Sequence, residues 1–110
     1  MKKIYLACPF SHTLKSVQEA RFDEVNKKAA ELMEEGHIVF SHISHSVPIN
    51  AHFRDEKDLD FWLRQDLPML EMCDEVWVLA LPGWVDSKGV KAEMEHAGIH
   101  RKPIRILRGY

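Results

Sequence analysis

The run EVWVLAL (75–81) constrains the fold more than any other stretch of the chain. After its first residue it is apolar at every position, whereas a strand with one solvated face alternates apolar and polar side chains. A strand that is apolar on both faces needs helices on both sides, as central strands of parallel sheets have. The run therefore predicts a three-layer α/β fold built around residues 75–81.

Short apolar segments and helical patterns alternate along the rest of the chain. The further predicted strands are KIYLAC (3–8), HIVF (37–40) and IRIL (104–107). The helical patterns cover about residues 14–35, 59–73 and 88–98. This order predicts a single doubly wound domain over residues 1–110, flavodoxin- or Rossmann-like, with a parallel sheet of four or five strands.

Two stretches do not fit this alternation simply. Pro68 lies inside the pattern of residues 59–73 and is expected to kink that helix or to split it in two. Residues 41–58 show no firm periodicity, so we expect a long loop there, and a loop of this length in a small domain is usually functional or mobile.

Composition excludes several classes of function. Fifteen basic and seventeen acidic residues leave a net charge of -2, so there is no electrostatic case for nucleic acid or an anionic membrane as a partner. No apolar run approaches the ~20 residues that span a bilayer. Cys8 and Cys73 lie in apolar surroundings without a CxxC motif and are expected to be reduced and buried. A cytoplasmic protein is predicted.

The loops that follow the predicted strands are expected to hold the ligand. In open α/β sheets, ligands bind outside the carboxyl ends of the strands. Those ends carry CPFSH (8–12), SHISHS (41–46) and PGWVDSKG (82–89). This prediction of the site's location is independent of any resemblance to known proteins.

The loop before the last helix has the residues of an anion site. Gly83 and Gly89 permit tight turning and a close approach of the backbone. Asp86 or Ser87 can cap the helix, and the free N–H groups at its first turn favour an anion. The alternative is that Ser87 caps the helix and does nothing else.

Two carboxylates are candidates for chemistry. At ~100° per residue, Glu93 lies about 60° from the centre of the core-facing stripe of the last helix, and its side chain leans toward the preceding loop. Asp66 lies in a mostly apolar segment just before Pro68. A pair of carboxylates can divide the roles of nucleophile and acid/base, as in glycosyl transfer. The alternatives are a solvated Glu93, and an Asp66 that is solvated or paired with Arg64.

These residues resemble the superfamily of nucleoside 2-deoxyribosyltransferases and nucleoside 5′-monophosphate N-glycosidases. The matching features are IYLACPF (4–10), Asp66, DEVWVLAL (74–81) and D-S-x-G-x-x-x-E (86–93), so the resemblance spans nearly the whole chain. It is strongest to a small branch with ACP-[FY]-S-H and GW-x-D-S-x-G-x-x-x-E-M signatures.

The resemblance implies a role for each matching residue. Glu93 matches the nucleophile that attacks the anomeric carbon, Asp66 the acidic residue that assists acid/base chemistry, and Tyr5 the aromatic residue that orients the nucleophile. Ser87 matches the serine that binds the 5′-phosphate in the nucleotide hydrolases, which favours a nucleoside 5′-monophosphate over a nucleoside. The predicted substrate-binding residues are Pro9, Phe10, Ser11, His12, Gly83, Trp84, Asp86, Ser87 and Gly89. No cofactor is expected.

Some features depart from the transferases. The chain is short, its CPFSH loop differs, and it lacks the longer C-terminal segment through which a neighbouring transferase subunit completes the site. Hydrolysis and transfer therefore both stay open. A homo-oligomer, dimer or tetramer, is expected from the resemblance and from the exposed-looking segment Phe61–Trp62. Asp86 is unexplained, because a carboxylate beside a phosphate is unfavourable.

Three other interpretations of the sequence are a metal site, a nucleotide-binding module and a relative of the phosphoribohydrolases. His96 and His100 are spaced i, i+4, and Glu93 with His96 resembles one arm of a carboxylate metal site, but the sequence has no HExxH and no second arm, so no metal is predicted. His12 or a histidine of residues 41–58 is instead expected to bind phosphate or sugar. A nucleotide-binding module without turnover is the main alternative. The PGGxGTxxE motif of the cytokinin-activating phosphoribohydrolases matches less well, because its second Gly and its Thr are missing.

Overall fold

The computed structural model describes residues 2–108. Its four strands are β1 (Lys3–Ala7), β2 (Ile38–Ser41), β3 (Glu75–Leu79) and β4 (Ile104–Leu107). Its four α-helices are α1 (Lys15–Glu34), α2 (His42–Asn50), α3 (Leu59–Glu71) and α4 (Lys88–Ile99), and a 3₁₀ turn at Trp84–Asp86 precedes α4.

The strands form one parallel sheet in the order β2-β1-β3-β4. Tyr5, in the middle of β1, is paired with Phe40 of β2 and Val76 of β3. All four carboxyl ends consequently lie on one edge of the sheet. The doubly wound α/β fold predicted from the alternation of apolar segments is confirmed, and the parallel sheet, expected to have four or five strands, has four among residues 2–108.

Helices cover both faces of the sheet, as the apolar run 75–81 requires. One face of β1 and β3 packs against α1 and Ile43 of α2, and the opposite face packs against α3 and α4. Successive residues of β1 alternate between the two cores: Ile4 and Leu6 lie in the first, Tyr5 and Ala7 in the second. The second core therefore places the Tyr5 ring beneath α3 and α4, next to the site described below.

Residues 41–58 are not a long loop, because α2 occupies their first half. The buried residues of this helix are His42, Ile43 and Ser46, so two of the three are polar. A search for apolar periodicity finds no stripe when the buried face of a helix is made of polar side chains. The expectation of a loop over residues 41–58 was wrong for this reason.

Pro68 does not split α3, which runs without interruption from Leu59 to Glu71. Proline removes one backbone hydrogen bond within a helix. Packing of the buried Leu70 against β1, β3 and α4 holds the last turn in place. No helix among residues 2–108 has the length and apolar character that a membrane span requires.

Candidate active site

A cavity of about 690 Å³ opens at the carboxyl edge of the sheet. Its lining residues come from all three strand-end loops and from α3. Cys8, Phe10 and Ser11 follow β1, His42 follows β2, and Asp86, Ser87 and Gly89 follow β3. Asp66 and Glu93 also line the cavity. The structure thus brings the two candidate carboxylates to the edge that the sequence indicated.

Glu93 is buried, with 1 % of its surface exposed. Val90 and Ala97 of the same helix face are buried as well, so the carboxylate belongs to the packed face of α4 rather than its flank. The Tyr5 hydroxyl donates a hydrogen bond to Oε2 of Glu93. Oε1 of Glu93 has no hydrogen-bond partner among residues 2–108. One oxygen is therefore held by the sheet and the other is free.

His42, the first residue of α2, lies between the two carboxylates. Its Nδ1 is 3.3 Å from Oδ2 of Asp66, and its Nε2 is 3.2 Å from Oε2 of Glu93. The second contact lacks the direction of a hydrogen bond, so Nε2 has no such partner within the described chain. The imidazole is stacked on the Tyr5 ring at 5.3 Å between centroids. Tyr5, His42, Asp66 and Glu93 form one buried cluster, which we call the acidic–histidine cluster.

Burial and charge shift the pKa values of this cluster. Burial raises the pKa of Glu93, against the opposing effects of His42 and the Tyr5 hydroxyl. Burial alone would lower the pKa of His42, but the Glu93 and Asp66 carboxylates outweigh it and the pKa is raised. Burial, followed by the nearby Glu93, raises the pKa of Tyr5 well above its usual value, so the phenol stays protonated and donates. The pKa values of His42 and Glu93 are therefore coupled, because the charge on each group favours the ionised form of the other.

Cys8 is the other nucleophilic side chain in the cavity wall. Burial raises the pKa of its thiol to about 12, although Arg21 acts in the opposite direction. Because the thiolate is the reactive form of cysteine, this thiol is inert at neutral pH. The buried carboxylates of Glu93 and Asp66 are the stronger nucleophilic candidates in the cavity wall.

The first turn of α4 lies on the cavity wall. Ser87 is its N-cap, and its Oγ accepts a hydrogen bond of 3.2 Å from the Val90 N–H. The capping function inferred for Ser87 is thus present. Lys88 and Gly89 line the cavity beside it, together with Asp86. The free N–H groups of a helix start and an ammonium group favour an anion here, whereas Asp86 opposes it.

Arg21 of α1 joins two of the strand-end loops, a role that the sequence did not reveal. Its Nη1 donates to the carbonyls of Ser11 (2.9 Å) and Phe10 (3.3 Å), and its Nη2 donates to that of Pro82 (2.8 Å). One guanidinium therefore holds the loop after β1 against the loop after β3. No sequence motif indicates that an arginine of a surface helix will bridge two loops.

Four residues predicted to bind substrate do not line this cavity: Pro9, His12, Gly83 and Trp84. Pro9 is fully buried, and its carbonyl accepts from the Cys8 thiol. His12 uses Nδ1 to accept from the Leu14 N–H. Gly83 adopts a positive φ of 92° at the turn. Trp84 packs against the second core with Arg108 over its ring, so it is not positioned to stack on a base in this cavity.

The sequence analysis expected a histidine of residues 41–58 at the site, but it did not identify His42 as that histidine. Its only signal was its position directly after a strand at the ligand-binding edge, within a group of several histidines. The metal arm that the spacing of Glu93 and His96 resembles is not formed, because His96 bonds Glu71 instead. The tertiary arrangement of α2 against β1 identified His42.

The fold is that of a nucleoside deoxyribosyltransferase-like α/β protein. A solved structure of the 2-deoxyribosyltransferase from Bacillus psychrosaccharolyticus is similar over 94% of this chain and 70% of that chain, with a TM-score of 0.70 and 27% sequence identity. The resemblance to this superfamily, predicted from the motifs, is confirmed.

The chain belongs to the family described as domain of unknown function (DUF1937), whose model matches residues 2–108. A search of the curated proteins gives no match.

Proposed function

We propose that this protein cleaves the N-glycosidic bond of a nucleoside 5′-monophosphate or nucleoside, with Glu93 as the nucleophile. The proposal is supported above all by the state of Glu93, a buried carboxylate in the cavity wall: Tyr5 holds Oε2, and Oε1 has no hydrogen-bond partner among residues 2–108. The similarity of the fold to that of a 2-deoxyribosyltransferase supports a reaction at the bond between sugar and base.

The proposed first step is a displacement at the anomeric carbon. Oε1 of Glu93 forms a bond to C1′ while the C1′–N bond breaks and its electron pair goes to the base, which takes up a proton. Asp66 assists this acid/base chemistry and positions the sugar. Water, or a second base, then attacks C1′ and gives up a proton to solvent, which balances the proton that the leaving base took from solvent, and the ester bond to Glu93 breaks to return the carboxylate. Retaining glycosidases use the same two-step logic.

His42 gives Glu93 the charge state that this step needs. A carboxylate buried without a partner is driven toward its neutral form, which is a poor nucleophile. A protonated imidazole 3.2 Å away favours ionisation of Glu93. We assign His42 as a positioning residue that keeps the nucleophile ionised and holds Asp66 in place.

The substrate phosphate is proposed to lie at the first turn of α4. Ser87, Lys88 and the backbone of Gly89 supply donors, with Ser11 across the cavity. Lys15 and Lys57 also line the cavity and add positive charge. We propose that the phosphate lies toward Lys88 and that Asp86 accepts a hydrogen bond from a sugar hydroxyl.

Two properties accompany the proposal. The chain is proposed to assemble as a dimer or tetramer, as the resemblance implies. Phe61 and Trp62, which looked exposed in the sequence, are half-buried against Phe53, so they are weak support for an interface. A cytoplasmic location is proposed because both cysteines, Cys8 and Cys73, are free and buried, as in proteins of reducing compartments.

Base release from a panel of ribo- and deoxyribonucleotides and nucleosides tests the proposal. Chromatography should detect free base with wild-type protein, with higher kcat/KM for monophosphates than for nucleosides. Glu93→Gln keeps the size of the side chain and removes the nucleophile, so its rate should fall by at least ~10³-fold.

Glu95→Gln is the matched control, since Glu95 lies on the same helix but is exposed, and it should keep wild-type activity. Unchanged base release from Glu93→Gln would contradict the mechanism. Tight binding of nucleotides by the wild type without any base release would instead identify a nucleotide-binding module, the alternative class.

A further inference from the structure

A second group of metal-ligating side chains lies outside the cavity, where the C-terminal ends of α3 and α4 meet. It consists of Glu71, the last residue of α3, of His96 in α4, and of His100, the residue that caps the C-terminal end of α4. The two histidines are one turn apart on one face of α4, and their rings are 4.4 Å apart between centroids. Glu71 comes from a different helix, so a search for metal motifs along the sequence does not find it.

We propose that Glu71, His96 and His100 form a surface site for Zn²⁺ or a similar late transition-metal ion, which we call the helix-end site. The Nε2 atoms of both histidines converge on the same carboxylate oxygen, Oε2 of Glu71, at 2.7 Å for His96 and 3.7 Å for His100. Ligand atoms from all three side chains lie within 4.8 Å of one another.

These separations match the geometry of zinc. Tetrahedral Zn²⁺ binds histidine nitrogen and carboxylate oxygen at about 2.0–2.2 Å, so neighbouring ligand atoms lie roughly 3.3 Å apart. The two observed separations fall on either side of that value. Small rotations of partly exposed side chains bring all three ligands to one ion.

The chemistry of the ligands also favours this class of metal. Two imidazoles and one carboxylate suit zinc, copper and nickel, whereas calcium and magnesium prefer oxygen alone. Three protein ligands leave a fourth position for water.

The helix-end site has a structural consequence that does not depend on the proposed reaction. A bound ion would join the C-terminal end of α3 to that of α4. These helices carry Asp66 and Glu93, respectively, on their earlier turns. Metal binding is thus expected to stabilise the packing of the two helices that hold the carboxylates.

Titration of metal-free protein with Zn²⁺, using a chain freed of any histidine tag, tests the inference. Calorimetry should give one ion per chain, and Co²⁺ should give the intense visible bands of a four-coordinate ion. Mutation of residues that merely hydrogen-bond the ligands of a metal weakens metal affinity by ~10–100-fold. Loss of a ligand itself, by His100→Ala or Glu71→Gln, should therefore weaken Zn²⁺ binding by at least ~10-fold. Zn²⁺ should raise the melting temperature of the wild type but not of these variants.

Two control variants separate the helix-end site from other histidines. His52→Ala removes an exposed histidine outside the helix-end site. Glu93→Gln alters the acidic–histidine cluster, whose side chains could also bind a metal. Neither substitution should change the affinity of the helix-end site for Zn²⁺. The inference is overturned if the wild type binds no Zn²⁺ at micromolar concentrations. It is also overturned if Glu93→Gln abolishes binding while His100→Ala keeps it.

Discussion

Tyr5 connects the sheet to the carboxylate of Glu93. It is fully buried in the middle of β1, where its ring packs between Phe40 and His42 and its hydroxyl reaches across to α4. The raised pKa keeps this hydroxyl protonated, so it serves Glu93 only as a donor. A single side chain of the central sheet thereby decides which carboxylate oxygen remains without a partner.

Tyr5→Phe should reduce catalysis while preserving the packing of the ring. A hydrogen bond to a charged group contributes about 1.5–3 kcal/mol, so kcat for base release should fall roughly 10- to 100-fold. Without this donor the pKa of Glu93 should rise further, and the acidic limb of the pH–rate profile should move to higher pH. Steady-state kinetics over a pH series measures both effects. An unchanged acidic limb would show that the hydroxyl does not act on Glu93.

Stability should fall as pH rises above about 6.5, the usual pKa of histidine. The folded protein raises the pKa of His42 and so binds this proton more tightly than the unfolded chain. The resulting stability is complete below the unfolded pKa and is lost as pH rises through the folded pKa. The raised pKa of Glu93 contributes with the same sign, and its contribution begins as pH rises above 4.5, the usual pKa of a glutamate.

Glu93→Gln should flatten this dependence, because it removes both the titration of Glu93 and the carboxylate that most raises the pKa of His42. Urea unfolding at a series of pH values measures the free energy of unfolding of each protein. Glu95→Gln, on the exposed side of α4, should retain the wild-type slope. Equal slopes for Glu93→Gln and the wild type would contradict the assigned pKa shifts.

At the scale of elements, the site depends on how the strand-end loops are held together. Arg21 spans from α1 to the carbonyls of Ser11 and Pro82, one in each of two loops. Gly83 leaves room for this arrangement: a Cβ there would lie 2.7 Å from Nη2 of Arg21. The positive φ of Gly83 and the absence of its side chain are both required.

Gly83→Ala should destabilise the protein more than Gly36→Ala. Both glycines have positive φ, 92° and 99°, which costs an L-residue about 1–2 kcal/mol. Only the alanine at position 83 also displaces the Arg21 guanidinium, since a Cβ at Gly36 meets nothing within 4 Å. Urea unfolding of both variants gives the difference in the free energy of unfolding.

The Arg21→Met background isolates the contact with the guanidinium. In that background the two alanine substitutions should cost the same, because no guanidinium remains to be displaced. Equal costs already in the wild-type background would show that Arg21 moves aside freely.

At the scale of the whole molecule, several large apolar side chains remain exposed on the single chain. Val85, Met72 and Ile99 are 65%, 66% and 74% exposed, respectively. Val85 lies directly before the cavity-lining Asp86, so a partner chain that covers it would also border the cavity. This surface is consistent with the proposed assembly into a dimer or tetramer.

Light scattering coupled to size-exclusion chromatography should therefore give a mass of at least two chains of 12.8 kDa each. Val85→Lys should shift the equilibrium toward the single chain if Val85 lies in the contact, and Lys27→Met on α1 serves as a surface control. A mass of one chain at all protein concentrations would contradict the assembly.

Local patterns predicted most of the architecture. The apolar run 75–81 became β3, and its need for two covering layers is met by α1 on one face and by α3 and α4 on the other. The predicted bounds of β4 match the structure, those of α1 differ by one residue at each end, and those of α4 differ by one residue at the C-terminal end. The first half of residues 41–58 was missed because a helix whose buried face includes His42 and Ser46 has no apolar periodicity to detect.

The sequence by itself determined the layered α/β fold, the edge at which the cavity opens and the pair of carboxylates, because strand and helix periodicity and capping are local properties of the chain. Only the tertiary structure decided the environment of those carboxylates. His42 and Tyr5 reach Glu93 from elements 51 and 88 residues away along the chain, and Glu71 meets His96 from another helix. Burial and charge at such contacts depend on distances in space, which the spacing of residues along one sequence does not contain.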